Sequence, residues 1–416
     1  MNQDVRSQLG IAAYSLFTIK VPASDPSPGT YEVMEAREDV SCAPMDCAWM
    51  PVEHIESENF NEEDSSAVSA AIREMRSYAR GWAIGPFGKP GWLEDLLCWV
   101  QKEIEPRGLR LSGDLRQFNP CPMCALLRME TNGSAVWFKA VDETNVREVS
   151  IATALARELP VYVPSVIATH PSLHGWLTTE CEGLTLSEID SASAWEEAAE
   201  AIAKLQIESR GKIDELLNAG CRDLRIEELL RQADAFMEVM AELMERQEKV
   251  SPPALTKKEV IALGASIKQA ITDWPKLNIP DGLGHLDISP HNIIVSPDRC
   301  VFLDWGEAYV GPPFLTLDFL RGHFRQSAIS EGGLDFTLVT RYRKQWEFIL
   351  PVAVVTEGLE IAQLLAPFAY ALGMDHWRDR EKVFSSENAG YFRSLIRRMH
   401  RESRKLQERR RACLNS

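Results

Sequence analysis

Between Gly284 and Trp305 the chain sets two acids and an amide among apolar residues: Gly284-His285-Leu286-Asp287-Ile288-Ser289-Pro290-His291-Asn292-Ile293-Ile294-Val295, then Val301-Phe302-Leu303-Asp304-Trp305. A carboxylate in apolar surroundings costs several kcal/mol unless a cation or hydrogen bonds compensate, so groups placed this way have a partner or a task. Here an Asp is followed five residues later by an Asn, and a second Asp closes the next strand 17 residues beyond the first. That is the spacing phosphoryl transfer requires. One acid accepts the proton of an attacking hydroxyl, while the amide and the second acid hold the ions that bridge nucleotide phosphates. Asp287 is therefore the expected base, and Asn292 and Asp304 the expected magnesium ligands, since magnesium takes oxygen donors and keeps some of its waters. Asp, Ser, Pro, His and Asn also favour plain turns. Three polar groups in this order between two apolar strands favour the chemical reading.

The same residues carry a family likeness. His285-Leu286-Asp287 to Asn292, Asp304-Trp305, and Gly311-Pro312-Pro313 with Asp318 behind them resemble the aminoglycoside phosphotransferase family, which shares the protein-kinase-like fold. Where the family pattern has Gly, His-Pro-Gly and Asp, this chain has Leu286, Ser289-Pro290-His291 and Pro312; the base and metal positions are kept. The resemblance spans residues 109 to 370. It implies an α+β, two-lobed architecture: a small antiparallel-sheet N-lobe and a mainly helical C-lobe, here with an extra N-terminal segment. It also implies ATP as phosphate donor, magnesium, and a small hydroxyl compound as acceptor, whether an antibiotic, an amino alcohol or a sugar.

Further roles follow from that resemblance. A strand lysine holding the nucleotide phosphates is expected at Lys139, the single charge within Val136 to Val141. Its glutamate partner on the next helix is expected at Glu148, although Asn145-Val146-Arg147-Glu148 also matches a helix capping box. Trp176 to Gly183 resembles the linker whose backbone meets adenine, which puts Glu180, Cys181 and Glu182 at the nucleotide. His285 is expected to brace the metal-binding Asp, and Asp318 either braces the catalytic loop or caps a helix. The loop Asn119-Pro120-Cys121-Pro122-Met123-Cys124 stands where protein kinases carry a glycine-rich phosphate loop, and it has no glycine. With fewer amide donors there, phosphates would lean on Lys139 and magnesium. Cys121 and Cys124 lack the second pair a zinc site needs and the thioredoxin-like context a redox pair needs, and read as incidental thiols. A nucleotide-binding pseudokinase or scaffold would suit the glycine-free loop, against the joint presence of Lys139, Asp287, Asn292 and Asp304. A protein kinase would need an Ala-Pro-Glu-like segment and a long activation loop after Asp304-Trp305.

The elements that must position these residues are legible from about residue 65. Val68, Ala71, Ile72, Met75 and Ala79 recur at helical steps, with Ser65 or Ser66 as the expected cap, and Trp92, Leu96, Leu97, Val100 and Ile104 form a second stripe that Pro106 and Gly108 end. Strands are expected at 110–118, 125–129 and 136–141, with a turn at Thr131-Asn132-Gly133-Ser134, then a helix over 145–158 and strands at 165–169 and 176–179. From Ala194 onward the pattern is helical apart from 292–303. Residues 1–60 give only the apolar stretch Ile11 to Val21, a proline-punctuated loop, and a run from Asp25 to Ser65 with twelve acids against one Arg. The expected division is an N-terminal extension at 1–105, a nucleotide-binding lobe at 106–183 and a catalytic helical lobe at 184–416.

The 416 residues carry 61 acidic and 45 basic side chains, a formal charge of −16, which argues against a nucleic-acid partner. Nine scattered cysteines suit a reducing compartment better than a disulfide framework. Residues 1–20 do not read as a signal peptide, and no window reads as a membrane span, so a cytoplasmic protein is expected. Glu307, Glu357 and Glu360 are candidate contacts for a cationic acceptor. Tyr391 to Arg411, with nine Lys and Arg against two Glu, reads as a solvated terminal helix ahead of a site for RNA, anionic lipid or an acidic partner.

Overall fold

The computed structural model describes residues 10–21, 29–37, 50–55, 60–79, 85–327 and 334–414. Pro22, Pro26, Pro28, Cys42, Cys47 and much of the acidic run lie outside the described residues. The chain divides into two units, one of residues 1–149 and 165–180, the other of residues 150–164 and 181–416.

The first unit is built on alternation. β3 (Leu111–Phe118), β4 (Ala125–Thr131), β5 (Val136–Ala140), β6 (Val166–Thr169) and β7 (Gly175–Thr179) form one antiparallel sheet in the order β3-β4-β5-β7-β6. Leu127, Met129, Val136, Phe138 and Leu177 put one face into the core, while Lys139 sits on the other face of the central strand, opposite Leu126 and Trp176. Helix Trp92–Ile104 lays its predicted stripe, Trp92, Leu96, Leu97, Val100 and Ile104, into the same core, and Leu93 joins it.

The N-terminal hairpin, β1 (Ala13–Val21) with β2 (Gly29–Ala36), adds Tyr14, Leu16, Phe17 and Ile19. Gln117 of β3 ties it down, donating to Ser15 O at 3.0 Å and accepting from Ser15 N–H at 2.9 Å. Residues on both sides of the expected 105/106 boundary thus share one core. Helix Glu62–Ala79 starts earlier than Ser65 or Ser66: Asn61 Oδ1 accepts from Asp64 N–H at 2.8 Å, and Glu62, Glu63 and Asp64 fill the first turn, where the helix dipole favours acids.

The second unit is mainly helical around the core helix Val352–Gly373, whose apolar residues are buried among Phe236, Phe314 and Trp377. This helix is long and apolar enough to cross a membrane. Thirteen of its 22 residues are buried inside the unit, as a core helix requires. Two small sheets lie here; strands Ile293–Val295 and Cys300–Phe302 of one fall within the β-rich segment expected at 292–303, while the other four strands were not read from the sequence. β10 (Gly282–His285) pairs antiparallel with β13 (Ala308–Gly311), which pairs in parallel with the two-residue β9 (Arg222–Asp223). The other sheet joins β11 (Ile293–Val295) to β12 (Cys300–Phe302) and to the short β8 (Leu184–Thr185). Gly284 faces Tyr309 across the first sheet, and a Cβ there would lie 1.9 Å from the ring. Gly183 has φ +125°, and a Cβ would lie 2.4 Å from Val295 O, so both positions exclude larger residues.

The basic segment does form a helix, Ser386–Leu414, but it is docked rather than fully solvated: Phe392, Ile396 and Met399 join the core. Arg398 pairs with Asp318, Arg410 with Asp273 at 2.8 Å, and Arg397 donates to Pro253 O at 3.1 Å.

Candidate active site

β10 leads into the loop that carries Asp287 and Asn292, Asp304 follows β12, and His285 holds these segments together. Its ring is buried and tilted against Trp305, with centroids 4.7 Å apart. Nδ1 accepts from Asp287 N–H at 3.1 Å, which leaves the ring proton on Nε2, 2.9 Å from Leu303 O. His285 thus grips the backbone of the expected base and of the residue preceding Asp304. Asn292 closes the ring of contacts: its Nδ2 donates to Asp287 O at 3.1 Å, and Leu303 N–H donates to its backbone oxygen at 2.8 Å. A tight turn, Ser289 N–H to Asp287 O at 3.0 Å and Asn292 N–H to Ser289 O at 3.0 Å, sets the intervening residues. Asp304 is left-handed, with φ 60° and ψ 61°. For a residue other than glycine this conformation is costly and clusters at functional sites.

Thr316, which sequence reasoning passed over, braces this loop from behind. Its hydroxyl accepts from His285 N–H at 3.0 Å and lies 3.2 Å from Tyr309 Oη. Asp318 sits within helix Leu315–Gln326, whose N-cap is Phe314, so it does not cap that helix. Its buried carboxyl pairs with Arg398; burial pushes its pKa up, and Arg398, Arg321 and Arg325 oppose the shift.

A cavity of about 320 Å³ reaches Asp287 and is lined also by Arg222, Glu307 and Tyr370. Glu307 is the one of the three acidic candidates in its wall. Glu360 lies 3.6 Å from Arg409, and Glu357 is exposed on the core helix. Arg222 gave no signal in the sequence, because only the pairing of β9 with β13 brings it here.

In the first unit, Lys139 Nζ donates to Glu148 Oε1 at 2.5 Å and lies 5.6 Å from the Trp176 ring centroid. Glu148 is buried and Lys139 a quarter exposed. The capping at this point falls to Asp142, which accepts from Thr144 and Asn145 N–H groups. Glu180 continues from β7 with its N–H on Ala135 O at 3.1 Å, and Arg128 holds its carboxylate at 2.6 and 3.0 Å. Its side chain is therefore tied to the sheet. The glycine-free loop rests on the Pro86–Gly88 turn through Phe87 N–H to Pro122 O at 3.0 Å. Burial and the neighbouring Cys121 push the Cys124 thiol up to about 12, which keeps it protonated and poorly reactive. In the second unit, Cys181 is half-buried and Glu182 exposed, just before Gly183.

Among the described residues no three His, Cys, Asp or Glu side chains gather as a metal cluster. The donor set of Asn292 and Asp304 has another character: two hard oxygens, with the amide N–H engaged on Asp287 O so that its oxygen is the end left for a cation. That suits magnesium, which takes one or two protein oxygens and completes its shell with phosphates and water.

Residues 138–317 match the sequence model of the phosphotransferase enzyme family, which bears out the resemblance read from the catalytic loop. The comparison with curated proteins returned no match. Among solved structures, the chain is similar to an ethanolamine kinase from Plasmodium vivax at 13% identity, covering 84% of this chain and 96% of that one, with a TM-score of 0.50. It is also similar to a macrolide 2′-phosphotransferase from Brachybacterium faecium (16% identity, 72% and 97% coverage, TM-score 0.45). A choline kinase from Streptococcus pneumoniae gives 14% identity, 76% and 99% coverage and a TM-score of 0.45. At such identities the likeness to the first of these shows the fold, the protein-kinase-like α+β architecture expected from the sequence.

Proposed function

We propose that the chain is an ATP-dependent phosphotransferase that moves the γ-phosphate to a hydroxyl of a small polar molecule. In this reading Asp287 takes the acceptor's proton as the acceptor oxygen bonds to the γ-phosphorus. The bond from that phosphorus to the β–γ bridging oxygen breaks, and ADP leaves. Asn292 and Asp304 would hold magnesium, which when bound neutralises charge on the phosphates. Lys139, kept in place by Glu148, would contact those phosphates, and the backbone from Glu180 to Glu182 would meet the adenine.

The observation that carries the proposal is the His285 contact pair. One buried ring fixes the backbone of Asp287 and of Leu303, next to the left-handed Asp304, while Asn292 bonds to both segments. A structural turn would have no need of this pre-set geometry, whereas positioning is most of what a phosphoryl-transfer enzyme supplies. The test is ATP consumption with magnesium over a panel of hydroxyl compounds, with Asp287→Asn as blank. The expected loss on that substitution is about 10²–10⁴-fold at unchanged thermal stability. Turnover within about tenfold of wild type would remove Asp287 from its role. ATP binding without turnover on any compound would favour the scaffold reading, which the glycine-free loop suits.

A further inference from the structure

β10 is an edge strand: β13 lies on one side, and among the described residues no strand lies on the other. N–H groups along such a strand point alternately to either side. Leu286 N–H reaches Glu307 O at 3.1 Å on the side of β13, so those of Leu283, His285 and Asp287 point to the open side. All four residues of β10 are buried, so these donors cannot turn to water, and a buried donor left unpaired is costly.

Side chains stand in for the missing strand. Ser209, the last residue of helix Ala192–Ser209, accepts Leu283 N–H on Oγ at 2.8 Å. Thr316 Oγ1 accepts His285 N–H at 3.0 Å, and His285 Nδ1 accepts Asp287 N–H at 3.1 Å. Both hydroxyls are buried, and each is itself held. Ser209 Oγ donates to Gln206 O at 2.8 Å, and Gln206 is fixed by Tyr342 Oη and Pro313 O, both at 2.6 Å. Tyr309 Oη donates to Pro312 O at 3.1 Å, which leaves its oxygen, 3.2 Å from Thr316 Oγ1, to accept the threonine proton.

The two bonds to β10 are alike in chemistry and differ in what hangs from them. Ser209 holds Leu283, whose side chain is buried in the core. Thr316 holds His285, whose ring grips Asp287 N–H and Leu303 O. A shift of the backbone at His285 is therefore passed on to the expected base and to the residue before Asp304. Asp318, expected from the sequence to brace this loop or to cap a helix, is engaged with Arg398, and the side chain that reaches the loop is that of Thr316.

We infer that Thr316 is a positioning residue for phosphoryl transfer, holding Asp287 and Leu303 in place through His285, whereas Ser209 anchors the strand alone. The inference rests on the phosphotransferase reading above.

The test compares Thr316→Val, Thr316→Ser and Ser209→Ala in the full chain. Hydrogen exchange needs no acceptor. Thr316→Val should speed exchange of the Asp287 amide about tenfold or more beyond the fall in global stability, while Ser209→Ala should not and Thr316→Ser should restore protection. Turnover is then measured with magnesium ATP on the panel compound that the wild type consumes fastest. Thr316→Val should lower kcat about ten- to hundredfold, the scale of a small misplacement of a reacting group, with the KM for ATP unchanged. Thr316→Ser, which keeps the accepting oxygen, should regain most of that loss. Ser209→Ala should keep the wild-type kcat even though its Tm falls as far as that of Thr316→Val. A purely structural role would lower kcat in Thr316→Val and Ser209→Ala together, in step with Tm. That result, or wild-type exchange of Asp287 in Thr316→Val, overturns the inference while leaving phosphoryl transfer standing. If the wild type consumes no panel compound above the Asp287→Asn blank, the phosphotransferase reading fails and this inference with it. Should Thr316→Val not fold, Tyr309→Phe decides in its place: it removes the phenol that orients the Thr316 hydroxyl, and a smaller shift in the same direction is expected in exchange and in kcat, its absence overturning the inference.

Discussion

The Lys139–Glu148 pair predicts an asymmetry that can be measured without knowing any substrate. Glu148 is 4% exposed, and the Lys139 side chain is 26% exposed. Lys139→Met leaves a carboxylate buried beside an apolar side chain. Losing one partner of a fully buried pair costs about 3–5 kcal/mol, and the partial exposure of Lys139 reduces this to about 2–3 kcal/mol. Glu148→Gln leaves the cation instead, on the exposed side, where its ammonium can reach water; about 1 kcal/mol is expected. The double variant Lys139→Met with Glu148→Gln removes both charges and should recover about 1–2 kcal/mol relative to Lys139→Met alone. Urea unfolding gives the global effect, and hydrogen exchange of the β5 amides gives the local one. If Glu148→Gln proves the more damaging of the two, the buried-carboxylate reasoning is wrong. The same Lys139→Met protein should lose affinity for magnesium ATP if Lys139 meets the phosphates.

Three further outcomes follow from the geometry. Gly284→Ala should lower stability by about 1–3 kcal/mol or more, read as a fall in Tm, because its Cβ would overlap the Tyr309 ring. Arg398→Ala should destabilise by about 3 kcal/mol in urea, since Asp318 is then left buried with Arg321 and Arg325 only nearby; a loss below about 0.5 kcal/mol would count against a role for this pair. Desolvation raises Asp281 from 3.8 to about 6. A raised carboxyl contributes stability below pH 3.8 that is lost as pH climbs through 6. The advantage of Asp281→Asn over wild type should therefore grow between pH 4 and pH 7, reaching about 1–2 kcal/mol after allowing for partial exposure, and an advantage flat with pH would refute the assignment.

The parts legible in the sequence were those with local signatures. Alternation marked β3, β4, β5 and β7, a stripe marked Trp92–Ile104, and residue types at fixed spacing marked Asp287, Asn292 and Asp304. What stayed hidden depends on distant pairing. β9 has two residues and β10 and β13 four each, all too short for periodicity to show, and β10 and β13 are buried throughout. Arg222 and Thr316 gain their neighbours only when those strands meet. The start of helix Glu62–Ala79 was readable after all, from Asn61 followed by three acids, but the serines four residues on drew the assignment away. In the sequence Asp318 reads either as a brace for the catalytic loop or as a helix cap, and its partner Arg398 lies 80 residues downstream.

The docked helix Ser386–Leu414 has a consequence for how the chain is made. Phe392, Ile396 and Met399 complete a core whose other members begin at Ile151. During synthesis the second unit must wait, with the apolar faces of helices Ile226–Glu245, Lys257–Asp273 and Val352–Gly373 uncovered, until residues 386–414 emerge from the ribosome. At about 5–20 residues per second, the roughly 260 residues from Ile151 to Leu414 take on the order of 10–50 seconds. Until then the nascent chain exposes apolar surface, which favours aggregation, and a chain that stopped ahead of residue 386 would keep it exposed.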